Sequence, residues 1–171
     1  MLNSSQDECV PDAPAQDTRA AARAGDVDAQ FALAFSLAAN PVGRDYPQAM
    51  EWYRKAADQN HRLAQFNLGQ MFAHGQGTAR DEVMAAMWIR RAAEGGDAGA
   101  QFNLGERCAR STPGGSEQDA AESRIQCYKW FTLAAAQQYR DALARADSAT
   151  LRMSRQEVAE GNRQVKAFVA S

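Results

Sequence analysis

The six-residue phrase AQFNLG occurs twice, at Ala64–Gly69 and Ala100–Gly105, and a variant, AQFALA, occupies Ala29–Ala34. The first alanines of the three copies stand 35 and 36 residues apart. A second landmark follows each copy: EWYRKAA around Trp52, MWIRRAA around Trp88 and KWFTLAA around Trp130. Trp52 and Trp88 are separated by 36 positions and Trp88 and Trp130 by 42, so the third unit carries six extra residues. A period in the mid-thirties marks stacked helical pairs.

Each unit reads as two helices. In the second unit, Ala64, Leu68 and Phe72 share one face of the first helix, and Ala85, Trp88, Ile89 and Ala92 recur at helical spacing in the second. Between them HGQGTARD offers Gly75 and Gly77 for left-handed turn geometry and Asp81 as an N-cap. Asp45 has the same role before YPQAMEWYRKAA. Gly69 and Gly105 fall inside first helices, where glycine costs about 1 kcal/mol relative to alanine. The expected return is close approach of the paired helix, and Ala34 keeps the same place small in the first unit.

This pattern resembles the Sel1-like repeat family, relatives of the tetratricopeptide repeat. The second unit carries the resemblance most fully, through Ala64, Leu68, Gly69, Phe72, Gly75, Gly77, Asp81, Ala85, Trp88, Ala92 and Ala93. The first unit departs in its shorter loop, ANPVGRD, which uses Asn40 and Gly43. In the third, Cys108 replaces the aromatic, Cys127 replaces an alanine, and RSTPGGSEQDAAES replaces the tight turn. The resemblance extends from about Ala22 to Ala136. It implies an all-α fold: a right-handed α/α superhelix, or solenoid, of about three helix-turn-helix repeats, near 28–60, 63–96 and 99–138. A flexible segment, 1–16, precedes the repeat domain, 17–171. TRAAARAGDVD reads as the second helix of a partial N-terminal unit, and QQYRDALARAD starts a C-terminal capping helical pair spanning 139–170. Its last helix opens with a capping box, Ser154 to Glu157, and places Val158, Val165, Phe168 and Val169 near one face, as a lid on the last apolar surface.

The bulk numbers fit one soluble domain: 171 residues, 45% hydrophobic and 23% charged. A net charge of -2 gives no footprint for nucleic acid or a polybasic membrane contact. The longest apolar run, FALAFSLAA at Phe31–Ala39, is too short to span a bilayer, so no membrane insertion is expected. The N-terminal MLNSSQDECVPDAPAQD has neither a basic nor an apolar signal region, which points to the cytoplasm. The periplasm is the alternative if a signal peptide has been removed.

No catalytic, cofactor or metal motif is legible: there is no GxGxxG, Walker loop, HExxH, EF-hand loop or CxxC pair. His61 and His74 read as polar residues at turns. Cys9 lies in the flexible segment. Cys108 and Cys127 occupy core-facing places on the two helices of one unit, and two readings stand: a disulfide stapling that unit, or two small buried thiols.

In stacked helical pairs the first helices line the concave side. Counting from Gly69, matched positions form rows: Phe31, Phe66 and Phe102; Phe35, Gln70 and Glu106; Asn67 and Asn103, continued by Arg145. One reading is a peptide cradle in which Asn67, Asn103, Gln70 and Glu106 bond a partner's backbone and the phenylalanines add apolar contact. Arg107, Arg110, Arg140 and Arg145 would attract acidic groups. The other reading assigns Phe31, Phe66 and Phe102 to the core between repeats. The insertion at 111–123 is either a partner contact or a tolerated loop. The lead expectation is a non-enzymatic adaptor for a protein or peptide, a role in which the Sel1-like family is similar. The resemblance permits an inhibitor or immunity protein for one effector as a subclass, and the capped C-terminus argues for a monomer against a self-assembling structural module. An enzyme or small-ligand protein with an unrecognised groove is the alternative.

Overall fold

The computed structural model describes residues 16–110 and 116–170. Among them every regular element is helical: α1 (Gln16–Ala24), α2 (Val27–Ala39), α3 (Tyr46–Asp58), α4 (Arg62–His74), α5 (Glu82–Glu94), α6 (Ala98–Arg110), α7 (Glu117–Ala136), α8 (Ala142–Thr150) and α9 (Arg155–Val169). Helices α2/α3, α4/α5 and α6/α7 form three antiparallel hairpins, and each second helix packs on the first helix of the next unit. The result is an α/α solenoid. The expected flexible segment 1–16 lies almost wholly outside the described residues, only Gln16 belonging to α1.

The turn and cap signals act as read. Gly75 and Gly77 adopt φ of 65° and 77°, which L side chains rarely take. Asp45 accepts from the backbone N–H of Gln48, and Asp81 from those of Val83 and Met84. Three more caps complete the set at one register. Asp26, His61 and Asp97 each cap a first helix, accepting from the N–H of Ala29, Ala64 and Ala100. His61 is therefore a cap rather than a bystander at a turn. Its Nδ1 is the acceptor, and its ring stacks on Phe31 with centroids 4.6 Å apart.

Alanine sets the packing distance. Ala34, Ala49, Ala56, Ala57, Ala64, Ala85, Ala92, Ala93 and Ala100 are fully buried at helix contacts. The in-helix glycines bring the hairpins closer still. A Cβ on Gly69 would stand 2.7 Å from Ile89 Cγ1 and 3.2 Å from the Ala85 carbonyl oxygen, and one on Gly105 would stand 2.7 Å from the Phe131 ring. The core runs along the array from Ala34, Tyr53 and Leu68 through Trp88 and Ile89 to Leu104, Trp130 and Phe131.

The glutamine of the repeated phrase has a role that periodicity did not disclose. Gln30, Gln65 and Gln101 are buried, and each donates its side-chain amide to a carbonyl eight residues back, those of Ala22, Ala57 and Ala93, at 3.1–3.2 Å. Those carbonyls sit in the last turn of the preceding helix, where backbone acceptors lack intrahelical partners. The phrase thus clips each hairpin to the one before it.

The third unit differs from the expected long loop. Ser116 and Asp119 form a reciprocal capping box that starts α7 at Glu117, so residues 117–123 are helical. Residues 111–115 lie outside the described set. At the C-terminus the capping box Ser154–Glu157 opens α9 as read. Helix α9 lies on α7: Val165 and Phe168 join the core at Trp130, and Gly161 lets the Tyr128 ring approach. Val169 departs from the expected face, being 74% exposed. The 100° step per residue carries it past the contact that Phe168 makes.

Candidate partner-binding face

The three phenylalanines of the phrase fill junctions between units. Phe31 stacks on His61 at the start of α4 and tilts against Tyr53 at 5.8 Å. Phe66 lies under Gly99 at the start of α6. Phe102 meets Phe131 and Tyr139, both at 5.6 Å, just before α8. Each ring is only half-buried, but each has one neighbour in the next layer: His61, Gly99 and Tyr139. Phe35, one turn beyond Phe31, is 56% exposed and stacks on Phe31 at 6.2 Å.

Three other predicted residues converge. Gln70 from α4 and Asn103 and Arg110 from α6 line one groove of about 420 Å³. Around them stand Ala73 and His74 of α4, Arg80 of the intervening loop, and Glu82 and Arg107. Asn103 Oδ1 is shielded from solvent without a hydrogen-bond partner among the described residues. His74 turns its Nδ1 to the Gln70 carbonyl oxygen at 2.8 Å.

The groove is basic. Arg80, Arg107 and Arg110 face a single acid, Glu82, which binds Arg80 at 2.6 Å and Arg107 at 3.5 Å. The Arg80 hydrogen bond leads in holding the Glu82 carboxyl below its usual range. Glu82 therefore stays ionised and is shared by Arg80 and Arg107. Sequence reading named Arg107 as an attractant for acids but missed Arg80 and His74. Nothing in the periodicity marks them: the turn after α4 folds them back toward the end of α6.

The remaining predicted positions lie elsewhere. Asn67 is half-buried one turn before Gln70. Glu106 and Arg145 meet each other instead of the groove: Arg145 Nη1 is 3.4 Å from Glu106 Oε1, and Arg145 also pairs with Asp141 at 3.2 Å. Arg145 lines a second cavity, of about 450 Å³, between α6, α7 and α8, together with Cys108 and Cys127. Both cysteines are free thiols, so the structure holds the two-thiol arrangement. Among the described residues no group of acids, histidines and cysteines is arranged to hold a metal ion, and no helix is long and apolar enough to cross a membrane.

Comparison with known proteins agrees with this architecture. A solved Sel1 repeat protein from Oxalobacter formigenes superposes with a TM-score of 0.61 at 30% identity, over 77% of this chain and 96% of that one. A protective antigen of uropathogenic Escherichia coli with an SLR fold gives 0.62 at 22% identity, over 90% of this chain and 40% of the antigen, a likeness of fold. The rat DAP3-binding cell death enhancer 1 is 39% identical over 57 residues. That segment is 30% of this chain and 11% of the rat protein, so the chain corresponds to a small part of that relative. The Sel1 repeat model matches residues 27–61, 62–97 and 98–139, the three hairpins built above, and the chain belongs to the Sel1 repeat family.

Proposed function

We propose that this chain is a non-enzymatic adaptor that holds an acidic, extended segment of a partner protein in the groove between α4 and α6. The observation that carries the reading is the convergence of Gln70, Asn103 and Arg110 on one basic groove. Gln70 and Asn103 offer amides to a peptide backbone, and Arg110 and Arg107 meet carboxylates. Sel1 repeats serve broadly as protein-interaction scaffolds, and the rat relative names a protein partner, DAP3, which supports a protein as the class of ligand. An inhibitor or immunity protein for a single effector is a narrower form of the same reading, and predicts a stable one-to-one complex. The reading takes the chain as a cytoplasmic monomer, to be checked by cell fractionation and light scattering.

The test is affinity capture with the wild type and a Gln70→Ala, Asn103→Ala, Arg110→Ala variant, the captured protein being identified by mass spectrometry. The variant is expected to bind at least about tenfold more weakly with an unchanged melting curve. Glu94→Ala, an exposed change on the opposite helix of that hairpin, is the control. Equal binding by the triple variant would remove the groove from the reading.

A further inference from the structure

The second cavity has chemistry that the adaptor reading leaves unused. It is lined by two thiols, Cys108 and Cys127, and three arginines, Arg124, Arg145 and Arg152, and among the described residues no carboxylate lines it. Arg124 pairs with Glu117 and Glu157, and Arg145 pairs with Glu106 and Asp141. Arg152 has no ion pair among the described residues, and its guanidinium is available to an incoming anion. Cys108 is half-buried at the cavity wall and Cys127 is buried beside it.

We propose that this cavity is a reactive-thiol site for small acidic disulfides of the glutathione disulfide class, with Cys108 as the attacking sulfur and Cys127 as the resolving one. Two helices of one hairpin bring these residues together: Cys108 packs on the cluster that contains Cys127, and both line the cavity. Hydrogen bonding from the Cys127 side chain leads in holding the Cys108 thiol down to about 7; burial opposes it, and Arg90 and Arg107 add to it. Burial and the neighbouring Cys108 sulfur push the Cys127 thiol up. Exposure assigns the roles, since half-buried Cys108 is open to a reagent and Cys127 is buried beside it, and the difference between the two thiols agrees with this. Arg152, without an ion pair among the described residues, selects the reagent, because its guanidinium attracts the carboxylates of an acidic disulfide.

The chemistry balances as a thiol–disulfide exchange. Cys108 thiolate attacks one sulfur of R–S–S–R. A Cys108–S–S–R bond forms, the reagent's S–S bond breaks, and R–S⁻ leaves with the electron pair. Cys127 then gives its proton to that thiolate and attacks the Cys108 sulfur. The second R–S⁻ leaves and takes up the proton that Cys108 released at the outset. The two protein sulfurs are oxidised to one disulfide, and the reagent is reduced to two thiols.

The experiment uses the full chain with Cys9→Ser, so that only Cys108 and Cys127 remain of the three cysteines. It is incubated with glutathione disulfide, neutral hydroxyethyl disulfide or cationic cystamine, and followed by intact mass and peptide mapping. The expected product is a Cys108–Cys127 cross-link with loss of two hydrogens, formed about tenfold faster with glutathione disulfide than with cystamine. Adding Cys127→Ser should stop the reaction at the mixed disulfide on Cys108, and Arg152→Ala should lower the preference for glutathione disulfide over hydroxyethyl disulfide. If a cysteine variant fails to fold, the Cys9→Ser parent still decides the matter. Retention of both thiols in the parent, or reaction no faster than that of free N-acetylcysteine, overturns the site. Equal rates with the anionic and cationic reagents overturn the reagent class.

Discussion

The side-chain amide of Gln101 donates to the carbonyl oxygen of Ala93 at 3.2 Å, and its own carbonyl oxygen accepts from Gln137 Nε2 at 3.0 Å. One buried side chain therefore ties the end of α5 to the end of α7. Gln30 does the same between Ala22 and Gln59, with bonds of 3.2 Å and 2.9 Å.

Gln101→Leu keeps nearly the same volume and removes both bonds. The Ala93 carbonyl keeps the Gly96 backbone N–H as a donor at 3.0 Å, so the loss is that of two hydrogen bonds and not of an orphaned acceptor. The expected loss is about 1–2 kcal/mol, read by urea denaturation, because a typical internal hydrogen bond contributes about 0.5–1.5 kcal/mol net. A variant as stable as the wild type would show that the clip carries no net stabilisation.

Gly69→Ala tests the close approach of α4 and α5. Helix propensity favours alanine by about 1 kcal/mol. Against that, the new methyl would stand 2.7 Å from Ile89 Cγ1, with backbone atoms at 3.1 and 3.2 Å that cannot rotate away. Overpacking of this kind costs about 1–3 kcal/mol, so a lower melting temperature is expected. A rise in melting temperature would mean that the hairpin opens at little cost.

Phe168 packs edge-on against Trp130 with ring centroids 5.8 Å apart. Phe168→Ala should uncover the last apolar face of the array at a cost of about 1–3 kcal/mol, less than for a fully buried ring because Phe168 is half-exposed. An uncapped solenoid end associates with itself, so sedimentation should detect concentration-dependent dimers. A variant that stays monomeric at all concentrations would show that α9 is dispensable as a lid.

Docking of α9 should weaken in acid. The Ser154 backbone N–H leads in lowering the Glu157 carboxyl, and the Arg124 guanidinium adds to it. A folded value below the unfolded one means stability that is present above the unfolded carboxylate value, about 4.3, and lost as pH falls through the folded value. The stability gap between wild type and Glu157→Gln should therefore be full near about pH 6 and shrink below about pH 4. Trp130 fluorescence reports on the same event, since Phe168 of α9 packs on it. A gap that stays constant across that range would detach Glu157 from the transition.

The spacing of Ala29, Ala64 and Ala100 and of the three tryptophans determined the number of hairpins, their order and their turns, because stacking repeats must share one period. Caps at Asp45, Asp81 and Ser154 were legible for a related reason: they satisfy backbone groups within three residues. What only the tertiary structure decided involves partners on different elements. The Gln30, Gln65 and Gln101 clips reach across a helix–helix junction, and Arg80 reaches the groove because a loop folds back beside α6. Glu106 meets Arg145 instead of facing the groove, and Cys108 meets Cys127 across a hairpin. Helical periodicity assigns a residue to a face; the distance to the next element, set here by alanine and glycine contacts, decides what that face touches.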